Sequence, residues 1–85
     1  MNIHFASGGR FDFDRNGVLF MALADGRPVQ CLVSEEALRD HFDALGGADD
    51  HEHAFEVNQE AICAVAESKI LRGYPEPVTL TSSDF

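Results

Sequence analysis

Positive charge is scarce in this sequence. Six Lys and Arg stand against fifteen Asp and Glu, a net charge of −9, which repels phosphate backbones and offers no basic stripe to displace their counterions. Direct DNA or RNA binding is therefore not expected, and the same sign argues against docking on anionic lipid. Tryptophan is absent and tyrosine occurs once. Long hydrophobic runs are missing too, none approaching the roughly 18–20 apolar residues that span a bilayer. Residues 1–9 have neither the basic start nor the apolar stretch of a secretion signal. Cysteine is limited to Cys31 and Cys63, with no C-x-x-C spacing and no His placed to share a metal with them. Two reduced thiols in a cytoplasmic protein are the expectation.

What is present suffices for a globular core. Apolar residues make up 45% of the chain and seven are Phe, far more than a disordered segment carries. With 85 residues there is room for one such core, so a single domain over residues 1–85 is expected, folding without disulfide or metal.

Met1, Ile3 and Phe5 alternate with Asn2 and His4, the period of a half-buried strand, until Ser7-Gly8-Gly9 interrupts. Phe11 and Phe13 alternate with Asp12 and Asp14, and Asp14-Arg15-Asn16-Gly17 reads as a type I turn. Residues 18–24 are all apolar, Asp25-Gly26 is a favoured two-residue hairpin turn, and residues 27–33 run back as the next strand. A two-residue loop pairs Ala24 with Arg27, Ala22 with Val29, Phe20 with Cys31 and Val18 with Val33 on one face. Leu23 with Pro28, Met21 with Gln30 and Leu19 with Leu32 fall on the other. Pro28 then occupies a non-hydrogen-bonded pair, as an edge tolerates.

Ser34 is a good N-cap for a first helix, with Glu35 and Glu36 at its positive end and Leu38, Phe42 and Leu45 at helical spacing up to Gly46-Gly47. Residues 49–52 read as a capping box that opens a second helix of about 22 residues, running to Lys69, Arg72 and a terminal Gly73. After Tyr74-Pro75-Glu76-Pro77, Val78 and Leu80 alternate with Thr79 and Thr81 as a last strand. The expected fold is α+β: a small antiparallel sheet, made of an N-terminal β-meander plus a C-terminal strand, with two helices packed on one face. Two helices cover one side only. Leu19, Met21, Leu23 and Leu32 are left to the other, where a second copy could form a homodimer, or where Phe5 or Phe85 could give partial cover.

Several groups could carry chemistry. Asp12-Phe13-Asp14-Arg15-Asn16-Gly17 matches the first half of a calcium-binding EF-hand loop, but the position of the closing bidentate Glu holds Leu23 and the flanks read as strands, so an ordinary turn is expected. Asp49-Asp50-His51-Glu52-His53 concentrates metal-ligand types, yet His51 and His53 point to different sides of a helix, and acids favour a helix start through the dipole alone. No metal or cofactor is expected. His41 lies beside Asp40 on the flank of the first helix, the arrangement of a general base or of a hydrogen-bonded structural histidine. Asn58 falls on the apolar stripe of the second helix with Ala54, Ala61, Ile62 and Val65, and with Lys69 nearby, so it must find partners. Glu56, Glu60 and Glu67 form a solvated acidic face. Cys31 faces the core and Cys63 falls beside that acidic face, both as small packing residues.

Asp25-Gly26-Arg27-Pro28-Val29, running into residues 31–38 and Asp40-His41-Phe42, resembles the small bacterial family catalogued as domain of unknown function 1488. Ala54-Phe55 with Asn58, Ala61-Ile62, Ala66 and Lys69, and the ending Leu80-Thr81-Ser82-Ser83-Asp84-Phe85, are similar to that family's second half. The resemblance implies a small α+β fold and brings no activity, cofactor or catalytic residue. A non-catalytic interaction or accessory module is the leading expectation. A small-molecule binder or enzyme centred on His41 and Asn58 is its rival, and an acidic mimic that binds a basic protein through Glu56, Glu60 and Glu67 is a third.

Overall fold

In the computed structural model, which describes residues 1–85, the chain runs β1 (Ile3–Phe5), β2 (Arg10–Asp12), β3 (Gly17–Ala24), β4 (Arg27–Ser34), α1 (Glu35–Phe42), α2 (Ala48–Val57), α3 (Gln59–Leu71) and β5 (Val78–Leu80), then a 3-10 turn over Ser82–Asp84. The Asp25-Gly26 turn organises it. Both residues take positive φ, 52° and 81°, which gives the loop the twist of the strands it joins. Antiparallel β3 and β4 then pair in the register the turn dictates, Ala24 with Arg27 through Val18 with Val33. Asp25 also fastens β1. Its Oδ1 accepts the Asn2 N–H at 2.9 Å, and its own N–H donates to the Asn2 carbonyl at 2.8 Å.

β1 and β2 lie end to end along the same edge of β3, opposite residues 22–24 and 17–19 respectively. Between them the Ala6 N–H still reaches Met21 O at 3.1 Å, so Ser7, Gly8 and Gly9 bulge out opposite the single residue Phe20. Gly8 has φ +82°, and a Cβ on Gly9 would lie 2.9 Å from Phe55 Cδ2. The two glycines give the bulge its left-handed residue and its close approach to the core.

The last strand departs from the antiparallel expectation: β5 pairs parallel to β4, Cys31 to Val78 through Val33 to Leu80. Three helices intervene between β4 and β5, a crossover long enough to return the chain in the same direction. The sheet order is β1-β3-β4-β5, with β2 also on β3.

The helical layer holds three helices rather than two. Ser34 caps α1 as its sequence implies, its Oγ accepting the Ala37 N–H at 3.1 Å. α1 stops at Phe42 because Asp43 turns left-handed (φ 58°) and the Ala44 N–H folds back to Leu38 O at 3.2 Å. Leu45 is therefore outside the helix and 79% exposed. Nor do residues 49–52 form a capping box. The N-cap of α2 is Gly47, with no side-chain bond, and Glu52 instead reaches the sheet, accepting the Phe11 N–H at 2.7 Å. The long helix is broken at Asn58 (φ −111°, ψ 19°) into α2 and α3. At its end Gly73 (φ +80°) donates to Ile70 O at 3.0 Å and Tyr74 N–H to Lys69 O at 3.2 Å, the Schellman pair.

The core lies between the sheet and these helices. Val18, Phe20, Ala22, Val29, Cys31 and Val33 from the hairpin meet Leu38, Phe55, Ile62 and Ala66. Phe55 is completely buried, its ring centroid 4.8 Å from that of Phe20, which in turn meets Phe5 at 6.1 Å.

Gly17 closes the β2–β3 loop where no side chain fits, since a Cβ there would collide with the Val33 carbonyl oxygen and lie 2.9 Å from Leu32 Cδ1. Gly17→Ala is expected to destabilise the fold by about 1–3 kcal/mol through overpacking. At about 4–8 °C of Tm per kcal/mol for a domain of this size, a circular-dichroism melt reads the loss, and an unchanged Tm would show that the β3–β4 pairing yields there.

Candidate functional site

The sheet face turned away from the helices carries Leu19, Met21 and Leu23 of β3, flanked by Pro28 and Gln30 of β4. Strand alternation puts them there. Met21 and Leu23 are 40% and 46% exposed and Leu19 is half-buried. Leu32, expected in the same open patch, is instead only 6% exposed, because the missing side chain of Gly17 lets its Cδ1 settle over the backbone there. Neither Phe5 nor Phe85 covers this face. Phe5 stands opposite Ala22 on the core side, and Phe85 packs edge-on to Phe42 at 5.2 Å on α1.

One carboxylate occupies a strand position on this face, Asp12, opposite Gly17. Its Oδ2 takes Arg15 Nη1 at 2.9 Å, and its Oδ1 accepts the main-chain N–H groups of Asp14 and Arg15. The Arg15 hydrogen bond, outweighing slight desolvation, holds the Asp12 carboxyl below its ordinary range. Both oxygens of Asp12, the first position of the calcium-loop match, are thus engaged within the turn.

His41 and Asn58 are not brought together. His41 Nε2 donates to Ser82 O at 2.8 Å, and Asp40 Oδ2 accepts the Ser82 hydroxyl at 2.6 Å. The pair fastens the C-terminal turn to α1, helped by the Phe85 ring 5.8 Å from that of His41. From the other side Lys69 Nζ donates to Asp84 Oδ2 at 2.8 Å and to Thr79 O at 2.9 Å. Partial burial pushes the Asp84 carboxyl up, but hydrogen bonds from Lys69 and Thr81 and the Lys69 charge outweigh it and hold the group below its ordinary value. Asn58 Nδ2 donates to Ala54 O at 2.9 Å, one turn back in the same helix, and so pins the kink. Asn58 lines an open cleft of about 420 Å³ with Val57, Glu60, Ala61 and Ala64. Glu56, Glu60 and Glu67 are all exposed, and Glu60 alone of the three lines the cleft.

Of the histidines in the acidic cluster, His53 is exposed while His51 is buried. His51 Nδ1 donates to Gly47 O at 2.7 Å and its ring lies 5.5 Å from Phe11, leaving Nε2 buried without a partner. Cys63 is buried as well, rather than beside the acidic face, because the stripe that α3 turns to the core is the one shared by Ile62, Cys63 and Ala66. Burial, with the nearby Cys63 and Glu76, pushes the Cys31 thiol up to about 12; burial pushes Cys63 up to about 11 against a hydrogen bond from Gln59. Neither is a nucleophile at neutral pH. Glu52 and Gln59 had no sequence signal for their roles: Gln59 Nε2 donates to Ala6 O at 3.0 Å, and both side chains meet main-chain groups, 41 and 53 positions away. No helix is long and apolar enough to cross a membrane.

Comparison with known proteins adds a family and a fold. The family model described as "Protein of unknown function (DUF1488)" matches residues 3–80. The crystal structure of a DUF1488-family protein of unknown function from Shewanella loihica superposes with a TM-score of 0.76 at 18% identity, covering 95% of this chain and 93% of that one. No curated protein matches.

Two outcomes follow from this geometry. Because the Asp84 carboxyl is lowered in the folded state, its contribution is fully present above the ordinary carboxylate value of 3.8 and is lost as pH falls through its lower folded value. The Phe85 resonances should therefore shift to those of a released end in that acid range, and an Asp84→Asn variant should show the released state at neutral pH; a Phe85 environment identical in both would refute the clamp. Ellman's reagent should modify Cys31 and Cys63 only as fast as the fold opens, at least about 100-fold slower than in denaturant, given thiols this buried.

Proposed function

The chain belongs to the DUF1488 family of proteins of unknown function, and from the uncovered face of its sheet we propose that it is a non-catalytic protein-interaction module working in the cytoplasm. The observation that carries the reading is the juxtaposition of Leu19, Met21 and Leu23 on a face whose one strand carboxylate, Asp12, is already paired with Arg15. Elsewhere the chain is dense in unpaired acids, which drive apart two molecules of net charge −9. A second copy can approach on this face without setting carboxylate against carboxylate, and two such sheets stack at about 10 Å across interdigitated apolar side chains. The edges are less suited to a partner. The outer edge of β5 has its Thr79 carbonyl occupied by Lys69, and the β1/β2 edge is interrupted by the Ser7-Gly8-Gly9 bulge. A homodimer through Leu19, Met21 and Leu23, with Leu32 beneath them, is therefore the occupant we assign. The cytoplasmic setting accords with Cys31 and Cys63 as free thiols.

Light scattering across a concentration series tests this. A dimer that dissociates at least about 10-fold more readily in a Met21→Asp, Leu23→Asp variant, with unchanged circular dichroism, is the expected result, since each change buries a charge in the interface. A wild-type chain that stays monomeric at about 1 mM, where even contacts of about 4 kcal/mol would show, would refute it.

A further inference from the structure

At the turn end of the hairpin, on the helix side of the sheet, α3 no longer covers the strands and a cleft of about 360 Å³ opens between them and the connection to β5. Its floor is apolar: Ala24 and Val29 are buried core residues and Ile70 packs beside them. The side chains of Arg27 and Glu76 stand on its walls with opposite charge, Tyr74 closes one side, and Met1 also lines it. Of the six basic residues, Arg15, Arg39 and Lys69 each sit on a carboxylate, while Arg10, Arg27 and Arg72 have none within ion-pair distance; among these three, Arg27 is the one that lines a cleft together with a carboxylate, that of Glu76.

Glu76 is held in place without being used up. Its Oε1 accepts the Gln30 N–H at 2.8 Å, which fixes the carboxylate on the outer edge of β4 and leaves Oε2 as an acceptor. The Tyr74 ring is fixed by Lys69, whose Nζ sits 5.0 Å from its centroid and is itself anchored to Asp84 and Thr79 O. At the end of α3 the carbonyls of Ser68, Lys69 and Ile70, which would otherwise repel an anion, are bonded by the N–H groups of Arg72, Gly73 and Tyr74. A cation and an anion kept apart across an apolar floor match a molecule carrying both opposite charges and an apolar arm. An anion alone would meet Glu76, and a cation alone would meet Arg27.

We infer that this cleft binds a small zwitterion of the α-amino-acid class with an apolar side chain, its carboxylate on the Arg27 guanidinium, its ammonium on Glu76 Oε2 and its side chain over Ala24, Val29 and Ile70. The volume of about 360 Å³ lies at the small end of the range seen for ligand pockets.

Titration of the ¹⁵N-labelled chain with L-leucine and L-phenylalanine, followed by ¹H–¹⁵N correlation spectra, tests the site. Isocaproate, which lacks the ammonium, and isopentylamine, which lacks the carboxylate, serve as half-ligands. Saturable shifts centred on Ala24, Arg27 and Tyr74 are expected, with a Kd of about 1 mM for so open a site. Each half-ligand should bind at least about 10-fold more weakly than leucine. Arg27→Gln should weaken leucine by a similar factor, and so should Glu76→Gln, which keeps an acceptor for the Gln30 N–H; spectra of both variants without ligand report that the fold is intact. Cleft resonances unmoved by either amino acid at about 50 mM, well above any useful affinity, would overturn the site. Equal binding of leucine and of a half-ligand would overturn the zwitterion assignment.

Discussion

The register of the central hairpin, on which both layers of this fold are laid out, is set by a two-residue loop. With Asp25 and Gly26 both at positive φ, the β3–β4 hairpin has one register, and the twofold alternation of a strand then assigns the side chains of eight consecutive residue pairs to one face or the other. Val18, Phe20, Ala22, Val29, Cys31 and Val33 become the floor on which the helices must pack, and Leu19, Met21 and Leu23 become the opposite face. A slip of one residue would exchange the two sets. The same Asp25 anchors Asn2 through its side chain and main chain, so β1 is placed by the turn that places the sheet.

That dependence explains which parts of the molecule could be read from the sequence. Local rules were legible because their partners are sequence neighbours: the hairpin register, the Ser34 cap three residues from Ala37, the Gly73 terminus of α3. Features set across space were not. The halt of α1 at Asp43 needs a left-handed aspartate that competes poorly with the Gly46-Gly47 signal, and the break at Asn58 depends on a side chain bonding its own helix. The parallel direction of β5 follows from how a helical crossover returns to the sheet, which no period within residues 78–80 encodes. At the candidate site, alternation revealed the open sheet face. The burial of Leu32 depends on a side chain that Gly17 lacks, and His41 finds its partner 41 residues along the chain.

The sheet guards its own margins in different ways along its length. Beyond the reach of β5, the outer side of β4 presents Pro28, which has no N–H to offer, and Gln30, whose N–H is taken by Glu76. Where β5 is present, Lys69 takes the Thr79 carbonyl. The opposite margin is broken by the bulge at Ser7, Gly8 and Gly9. Recruitment of a further strand is disfavoured on both sides, so contact with other molecules is directed to faces and clefts rather than to ladder extension.

The bulge and the helix break are the two places where a regular element gives up its repeat, and they are joined. Gln59, the first residue beyond the break, holds the carbonyl of Ala6, the last residue before the bulge. Glu52, on the other side of the break, holds the N–H of Phe11 just past it. The two irregularities are therefore clasped to each other from both flanks, so that a change in the angle between α2 and α3 would strain the two hydrogen bonds that fix the contour of the sheet's edge.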